Sequence, residues 1–116
     1  AVVGFSKKRE RPSNYESMYM KDNGYAVIPV NPGHKEIAGM ACYPDLESIP
    51  AQVDVVDIFR RSEFVLPIVD SAIYIRAKAI WMQDHVFNEN AALKAKDAGI
   101  LVIMDNCILR QHRLIN

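Results

Sequence analysis

The chain has 116 residues, half of them hydrophobic, and its 14 basic and 14 acidic residues cancel. This length predicts a single domain over residues 1–116, and the balanced charge argues against wholesale attraction to nucleic acid or to a membrane surface. We expect a cytoplasmic protein, since no apolar run approaches the roughly 20 residues of a membrane span, no signal peptide is visible, and two cysteines cannot build a disulfide framework.

The first quarter of the chain predicts a strand followed by a helix. Residues 1–5 (AVVGF) form a short apolar run, which indicates a buried strand. Ser13 and Glu16 have the spacing of a capping box, in which a hydroxyl and a carboxylate each accept from an amide at the start of a helix. We therefore expect a helix that begins at Ser13 and ends near Gly24, because glycine is a common helix stop.

The middle of the chain predicts three further strands. Residues 25–30 (YAVIPV) indicate a second strand, whose Pro29 has no amide hydrogen to donate and should lie near an edge or at the strand end. Residues 40–50 (MACYPDLESIP) indicate a short edge strand followed by one helical turn. Residues 53–59 (VDVVDIF) are the most β-branched stretch, which predicts a central strand.

The last part of the chain alternates helices and strands. Residues 62–76 carry apolar side chains at helical spacing, and residues 79–82 (AIWM) indicate a strand. Residues 88–96 predict a helix that begins with asparagine, a favoured N-cap. Residues 100–104 (ILVIM) indicate the last strand, and residues 105–116 are expected to form a polar tail.

The order of these elements indicates the fold class. Strands alternate with helices, and the strands are continuously apolar, which is typical of a parallel sheet covered on both faces. We therefore predict an α/β, Rossmann-like three-layer sandwich with a mostly parallel sheet of about five strands. Ligands of such sheets bind beyond the carboxyl ends of the strands.

The loop after the first strand has the composition of an anion site. Gly4 would let a phosphate approach the backbone, and the start of the next helix adds a partial positive charge. Hydroxyls and cations come from Ser6, Ser13, Lys7, Lys8, Arg9 and Arg11. The loop lacks both G-x-G-x-x-G and G-x-x-x-x-G-K-[ST], which disfavours dinucleotide and Walker-type sites. From this stretch alone, a solvated basic loop and a phosphate site are equally good interpretations.

Six segments occur in a characteristic order and spacing: AVVGFS…RPS, GYAVIPVNP, CYPDLESIP, VDVVDIFRR, WMQ…N…AA and AGILVIMDNC…H. In this arrangement the chain resembles the small CoA-binding proteins, which are stand-alone relatives of the CoA-binding domain of the succinyl-CoA synthetase α subunit. The resemblance runs from Ala1 to about Leu114. It implies a single Rossmann-like domain that binds CoA across the strand ends.

The resemblance also implies which residues contact CoA. The diphosphate loop would be formed by Gly4, Ser6, Arg11, Pro12 and Ser13. The adenosine end would be flanked by Val30, Asn31 and Pro32. The groove would be lined by Phe59, Arg60 and Arg61, and the pantetheine side approached by Gln83. Each group follows a predicted strand, where a ligand of this fold class is expected.

No convincing catalytic constellation is visible, so we expect a non-catalytic binding protein. The histidines lack metal-binding spacing, and Asp54 and Asp57 lie on opposite faces of one strand. The resemblance covers the CoA-binding domain alone, whereas the synthetase reaction needs a phosphorylated histidine in another domain. Cys107 has two interpretations: a small, partly buried residue, which we favour, or a thiol placed to form a mixed disulfide with CoA or to serve an acyl-CoA enzyme.

Three residues depart from the family pattern near the expected ligand. His85 stands where the pattern has glycine, which implies close backbone approach or a positive φ. Asp84 adds a negative charge near the diphosphate, and Asn106 replaces an arginine. We expect these three residues to weaken CoA binding.

A second hypothesis is a protein-interaction module on the CoA-binding scaffold. The helix and loop patterns leave several aromatic or apolar residues exposed, namely Phe64, Pro67, Tyr74, His85 and Phe87. Such side chains are enriched at protein-binding surfaces, although scattered surface aromatics are also normal. The chain does not begin with methionine, which fits a trimmed chain, a preceding N-terminal segment that is disordered, or an engineered scaffold.

Overall fold

The computed structural model describes residues 1–115. Its strands are β1 (Val2–Val3), β2 (Pro29–Val30), β3 (Glu36–Ile37), β4 (Met40–Ala41), β5 (Val55–Ile58), β6 (Ala79–Met82) and β7 (Leu101–Ile103). Its helices are α1 (Pro12–Asp22), α2 (Val65–Tyr74), α3 (Glu89–Asp97) and α4 (Ile108–Ile115), and a 3₁₀ turn (Ser62–Phe64) leads into α2. Across these described residues, no helix combines the length and the apolar character that crossing a membrane requires.

Five strands form one parallel sheet in the order β2-β1-β5-β6-β7, while β3 and β4 form a separate antiparallel hairpin. After β1 the chain moves to one edge of the sheet, and after β5 it moves to the other. Such a reversal is the switch point at which open α/β sheets bind their ligands. The predicted α/β Rossmann-like sandwich is confirmed, residues 53–59 supply its central strand, and Pro29 lies in an edge strand.

The two faces of the sheet are built differently. Helices α2 and α3 pack together over one face, where the apolar core includes the buried Ile58 and Ile80. Helices α1 and α4 lie together on the opposite face, which has a smaller apolar cluster around Phe5. Because side chains alternate along a strand, Val56 and Ile58 enter the apolar core while Asp57 points to the α1 and α4 side.

The capping box predicted at Ser13 and Glu16 is wrong. Helix α1 begins one residue earlier, at Pro12, and no side chain caps it. Proline is well suited to the first helical position because its φ is already helical and no amide needs a partner. The Ser13 hydroxyl instead accepts from the Ser6 amide at 2.8 Å, and the Glu16 carboxylate accepts from Cys107 Sγ at 2.9 Å.

The polar tail predicted for residues 105–116 is also wrong, because Ile108–Ile115 form α4. Its polar side chains, which resembled those of a solvated tail, hold the helix to the body of the protein. The Tyr19 hydroxyl and His112 Nδ1 are hydrogen-bonded at 2.9 Å, and the Arg113 guanidinium lies over the Tyr19 ring. Asn116 lies outside the described residues.

Residues 40–50 differ from their prediction as well. Met40–Ala41 pair with Glu36–Ile37 in the hairpin, and only Tyr43 bridges to the main sheet, at Val30. The predicted helical turn is a single hydrogen-bonded turn, in which the Ile49 amide donates to the Leu46 carbonyl oxygen at 3.2 Å. The Asp45 carboxylate accepts from both the amide and the hydroxyl of Ser48, a local side-chain contact of the kind that favours turns over longer helices.

Ile80→Ala should lower the free energy of unfolding by about 2–5 kcal/mol, because it leaves a cavity in the apolar core. Leu101→Ala on the edge strand is the matched control, since Leu101 is 75% exposed and a loss of about 0.5 kcal/mol or less is expected. Urea unfolding curves measure both changes. Equal losses would contradict a core placed between the sheet and α2 and α3.

Candidate functional site

A cleft of about 1090 Å³ opens at the carboxyl ends of β1, β5 and β6. Its walls are the loops after these strands, the first turns of α1, and α4. The predicted binding residues that line it are Gly4, Ser6, Arg11, Pro12, Ser13, Phe59, Arg60, Arg61 and Gln83. Residues distant in sequence therefore converge at the switch point of the sheet.

A smaller groove of about 410 Å³ brings together the other predicted residues, Val30, Asn31 and Pro32. Gly4 and Arg60 line both the groove and the cleft, so the two spaces adjoin at the end of β1. The Val30 side chain is buried in the core. The side-chain amide of Asn31 donates to the Phe5 carbonyl oxygen at 3.0 Å, which connects the loop after β2 to the loop after β1.

Gly4 is the residue that brings the β1 and β5 ends together. Its φ is +87°, in the left-handed region that L side chains rarely adopt. A Cβ at this position would lie 2.6 Å from the Phe59 carbonyl oxygen, which is backbone and cannot move aside cheaply. Only glycine therefore fits this turn.

The loop between Gly4 and α1 is organised by its own side chains. The Ser6 amide donates to the Ser13 hydroxyl at 2.8 Å, and the Asn14 side chain donates to the Ser6 carbonyl oxygen at 2.9 Å. The Ser6 hydroxyl accepts from the Lys8 amide at 3.1 Å. Both serine hydroxyls act as acceptors in these contacts, so each keeps its own proton to donate to a ligand.

The basic residues of this loop divide between two surfaces. Lys8 and Arg11 line the cleft, where Arg60 and Arg61 approach from the loop after β5. Lys7 and Arg9, which the sequence grouped with them, line a different groove along the outer side of α1. Only part of the predicted charge therefore reaches the candidate site.

Helix α4 adds side chains that sequence analysis missed. Leu109, Arg110, Arg113 and Leu114 all line the cleft. Arg110 makes two hydrogen bonds to the Asp84 carboxylate, at 2.9 and 3.0 Å, and these bonds hold the pKa of Asp84 below its usual range. The signal that would have revealed these residues is the strongly amphipathic spacing of residues 108–115.

The family departures have local explanations. His85 has φ +67°, which is one of the two backbone features expected at this position, and its backbone amide donates to the Asp105 carboxylate. Asn106 lies just before α4, and its side-chain oxygen accepts hydrogen bonds from the Cys107 amide at 2.9 Å and from the Arg110 guanidinium at 3.2 Å. Arg110 also supplies a cation that offsets Asp84. A weakening of CoA binding by these three residues stays a prediction.

Beneath the cleft lies a buried polar layer that the sequence did not reveal. Gln83 donates to Asp57 Oδ1 at 2.6 Å, and its own oxygen accepts from the Ile108 amide at 3.3 Å. Burial raises the pKa of Asp57 to about 7, and nearby Glu16 acts in the same direction. Gln83 therefore connects a carboxyl group of the central strand to the first turn of α4.

Cys107 has the character of a packed thiol. It is buried, and burial together with its hydrogen bond to Glu16 raises its pKa, which disfavours the reactive thiolate. Cys42 is also buried and free. Within residues 1–115, no group of three or more His, Cys, Asp or Glu side chains is placed to hold a metal ion.

The residues of the protein-interaction hypothesis are exposed but spread out. Ser62 contacts the backbone of both His85 and Phe87, which brings the β6–α3 loop beside the 3₁₀ turn that precedes α2. Tyr74, 73% exposed, lies at the far end of α2 from Phe64, roughly 15 Å away at the rise of an α-helix. A protein partner for this surface stays a prediction.

The fold and the site together define a doubly wound α/β protein with a ligand cleft at its switch point, where a glycine turn meets a cluster of cations. A model of the CoA binding domain family matches residues 1–113. The chain therefore belongs to this CoA-binding domain family.

Individual relatives agree with this assignment. The uncharacterized protein YneT of Bacillus subtilis (strain 168) is 38% identical over 112 residues, which are 97% of this chain and 83% of YneT. A hypothetical protein from Pyrococcus horikoshii OT3 superimposes with a TM-score of 0.96 at 38% identity, over 99% of this chain and 82% of that one. The dinucleotide-forming acetyl-coenzyme A synthetase 1 of Ca. Korarchaeum cryptofilum, with phosphate and ADP, has a TM-score of 0.78 at 26% identity, over 90% of this chain and 25% of the synthetase.

Gly4→Ala should destabilise the protein more than Gly39→Ala does. Both glycines have positive φ, but a Cβ at Gly39 meets nothing within 4 Å, whereas one at Gly4 meets the Phe59 carbonyl oxygen. The conformational cost alone is about 1–2 kcal/mol, so a larger loss at Gly4 measures the close approach. Urea unfolding midpoints of both variants measure the two losses of stability. Equal midpoints would refute the close approach of Gly4 to the Phe59 carbonyl oxygen.

Asp57→Asn should flatten the pH dependence of stability. Because the folded pKa of Asp57 is raised to about 7, the folded state keeps a proton that the unfolded state has lost above its ordinary pKa. In the unchanged protein the free energy of unfolding should therefore fall from roughly pH 4 to pH 7, and Asp57 should contribute a slope of at most about 1.4 kcal/mol per pH unit. The Asp57→Asn variant should lack this contribution. Unfolding curves at several pH values test this, with the exposed Asp54→Asn as control; identical slopes in the two variants would contradict the assignment.

Proposed function

We propose that this protein binds CoA, or an acyl-CoA, without catalysing a reaction, and that it does so in the cleft at the strand ends. The observation that carries the proposal is that the Gly4 turn and the side chains of Lys8, Arg11, Arg60 and Arg61 line the same cleft. A diphosphate is an anion with several acceptor oxygens, and it fits a surface of backbone amides, hydroxyls and guanidinium groups.

In this proposal the phosphates lie against the loop between β1 and α1. Arg11 contributes a forked donor, and Ser6 and Ser13 contribute hydroxyl protons. Arg60 and Arg61 face the same space from the loop after β5. A guanidinium group suits a phosphate because it donates two parallel hydrogen bonds.

The two ends of CoA would extend in different directions from the phosphates. The adenosine end would enter the smaller groove beside Val30, Asn31 and Pro32, next to the strand end that carries Gly4. The pantetheine arm would follow the larger cleft towards Gln83. The two spaces adjoin at Gly4 and Arg60, so one extended ligand can occupy both.

We propose no covalent step. The Cys107 thiol donates to Glu16 and has a raised pKa, so it is a poor nucleophile at neutral pH. The buried carboxyl groups of Glu16 and Asp57 are engaged with Cys107 and Gln83 respectively. These contacts favour a binding role over an acyl-CoA enzyme, and a cytoplasmic location stays a prediction.

Arg11→Ala should weaken CoA binding by about 1.5–3 kcal/mol, the range for a hydrogen bond to a charged group. Isothermal titration of the purified protein with CoA, and separately with pantetheine, measures the effect. Heat is expected with CoA and little with pantetheine, because pantetheine lacks the phosphates.

Arg9→Ala is the matched control, since Arg9 lies in the same loop but lines the outer groove and not the cleft. Its affinity for CoA should equal that of the unchanged protein. Equal losses of CoA affinity in the two variants would mean that the loop acts through its overall charge and not through a specific contact of Arg11. Absence of CoA binding to the unchanged protein would refute the proposed function.

A further inference from the structure

The cleft has two parts with different charge. The exposed lining residues Lys8, Arg11, Arg60 and Arg61, here called the outer half, are cationic. The inner half is formed by Glu16, Gln83 and Cys107, which are all buried and all line the same cleft. A ligand with a charged end and an uncharged end would therefore bind in one direction.

Glu16 determines the character of the inner half. It projects from α1 and is only 6% exposed. Its carboxylate accepts from the Cys107 thiol at 2.9 Å. Burial raises the pKa of Glu16 and the negative charge of Asp84 acts in the same direction, while the hydrogen bond from Cys107 and the charge of Arg110 act against them. When Glu16 is ionised, it repels a second carboxylate.

The cations that α4 brings to the cleft are already engaged. Arg110 makes two hydrogen bonds to the Asp84 carboxylate, so these two charges offset each other. The Arg113 guanidinium lies over the Tyr19 ring, 5.1 Å from its centroid. A carboxylate entering the inner half would therefore compete with Asp84 for Arg110.

We propose that Glu16 makes this site selective among CoA thioesters, an inference that rests on the proposed function. The site takes CoA with a free thiol or with a neutral acyl group, and it disfavours acyl groups that end in a carboxylate. Such a group would lose its hydration and approach the like charge of ionised Glu16, while the nearby Arg110 is already paired with Asp84. Glu16 is thus a specificity-determining residue of the inner half.

Butyryl-CoA and succinyl-CoA provide the test, because their acyl groups have four carbons each and differ in the terminal carboxylate. Isothermal titration of the unchanged protein should give similar affinities for CoA and butyryl-CoA, and at least about tenfold weaker binding of succinyl-CoA. This ligand pair tests charge independently of size and needs no variant.

Glu16→Gln then identifies the responsible residue. The glutamine amide keeps the size of the side chain and an oxygen for the Cys107 thiol, but it carries no negative charge. The ratio of butyryl-CoA to succinyl-CoA affinity should fall at least threefold in this variant, a change of roughly 0.7 kcal/mol. Glu10→Gln is the control, since Glu10 is exposed, lies in the preceding loop and does not line the cleft; its ratio should not change.

The outcomes separate the two proposals. Equal affinity for butyryl-CoA and succinyl-CoA would overturn the selectivity while leaving CoA binding intact. Discrimination that persists unchanged in Glu16→Gln would overturn the role of Glu16. No binding of CoA itself would refute the proposed function and the selectivity with it.

Discussion

The close approach of the β1 and β5 ends, where Gly4 faces the Phe59 carbonyl oxygen, is the constraint on which the site depends. The chain moves in opposite directions after these neighbouring strands, so a space opens between the two loops that follow. The absence of a side chain at Gly4 keeps the loops near enough for Arg11 and Arg60 to line one cleft. The cationic surface is therefore a product of backbone geometry as much as of composition.

The two faces of the sheet have different roles: one contains the apolar core, and the other contains the buried polar groups beside the cleft. The face under α2 and α3 is apolar, and it holds the strands in register without polar partners. The face under α1 and α4 contains Glu16, Asp57 and Gln83, whose burial is tolerated because each has a hydrogen-bond partner. Polar groups can thus lie beside the ligand space without weakening the core on which the fold relies.

Much of this architecture could be predicted from the sequence, because parallel strands and their covering helices leave strong local signals. The continuous apolar runs indicated the sheet, and Asn88 caps α3 as its position suggested, with its side-chain oxygen accepting from the Ala91 amide at 3.0 Å. The failures have two causes. Glu16 and the polar side chains of α4 have partners distant in sequence, as with Glu16 and Cys107 or Tyr19 and His112, and local spacing contains no information about such pairs, so the buried polar layer was missed. The α4 wall of the cleft was missed because the amphipathic spacing of residues 108–115 was taken for a polar tail.

Helix α4 also has a dynamic consequence. None of its residues is buried, and hydrogen bonds, ring contacts and an ion pair provide its attachment. Segments with so little buried apolar surface open at a lower free energy than the sheet beneath them, and their amides exchange with solvent through local opening. Because Leu109, Arg110, Arg113 and Leu114 form one wall of the cleft, local opening of α4 would expose that side of the cleft while the sheet stays folded.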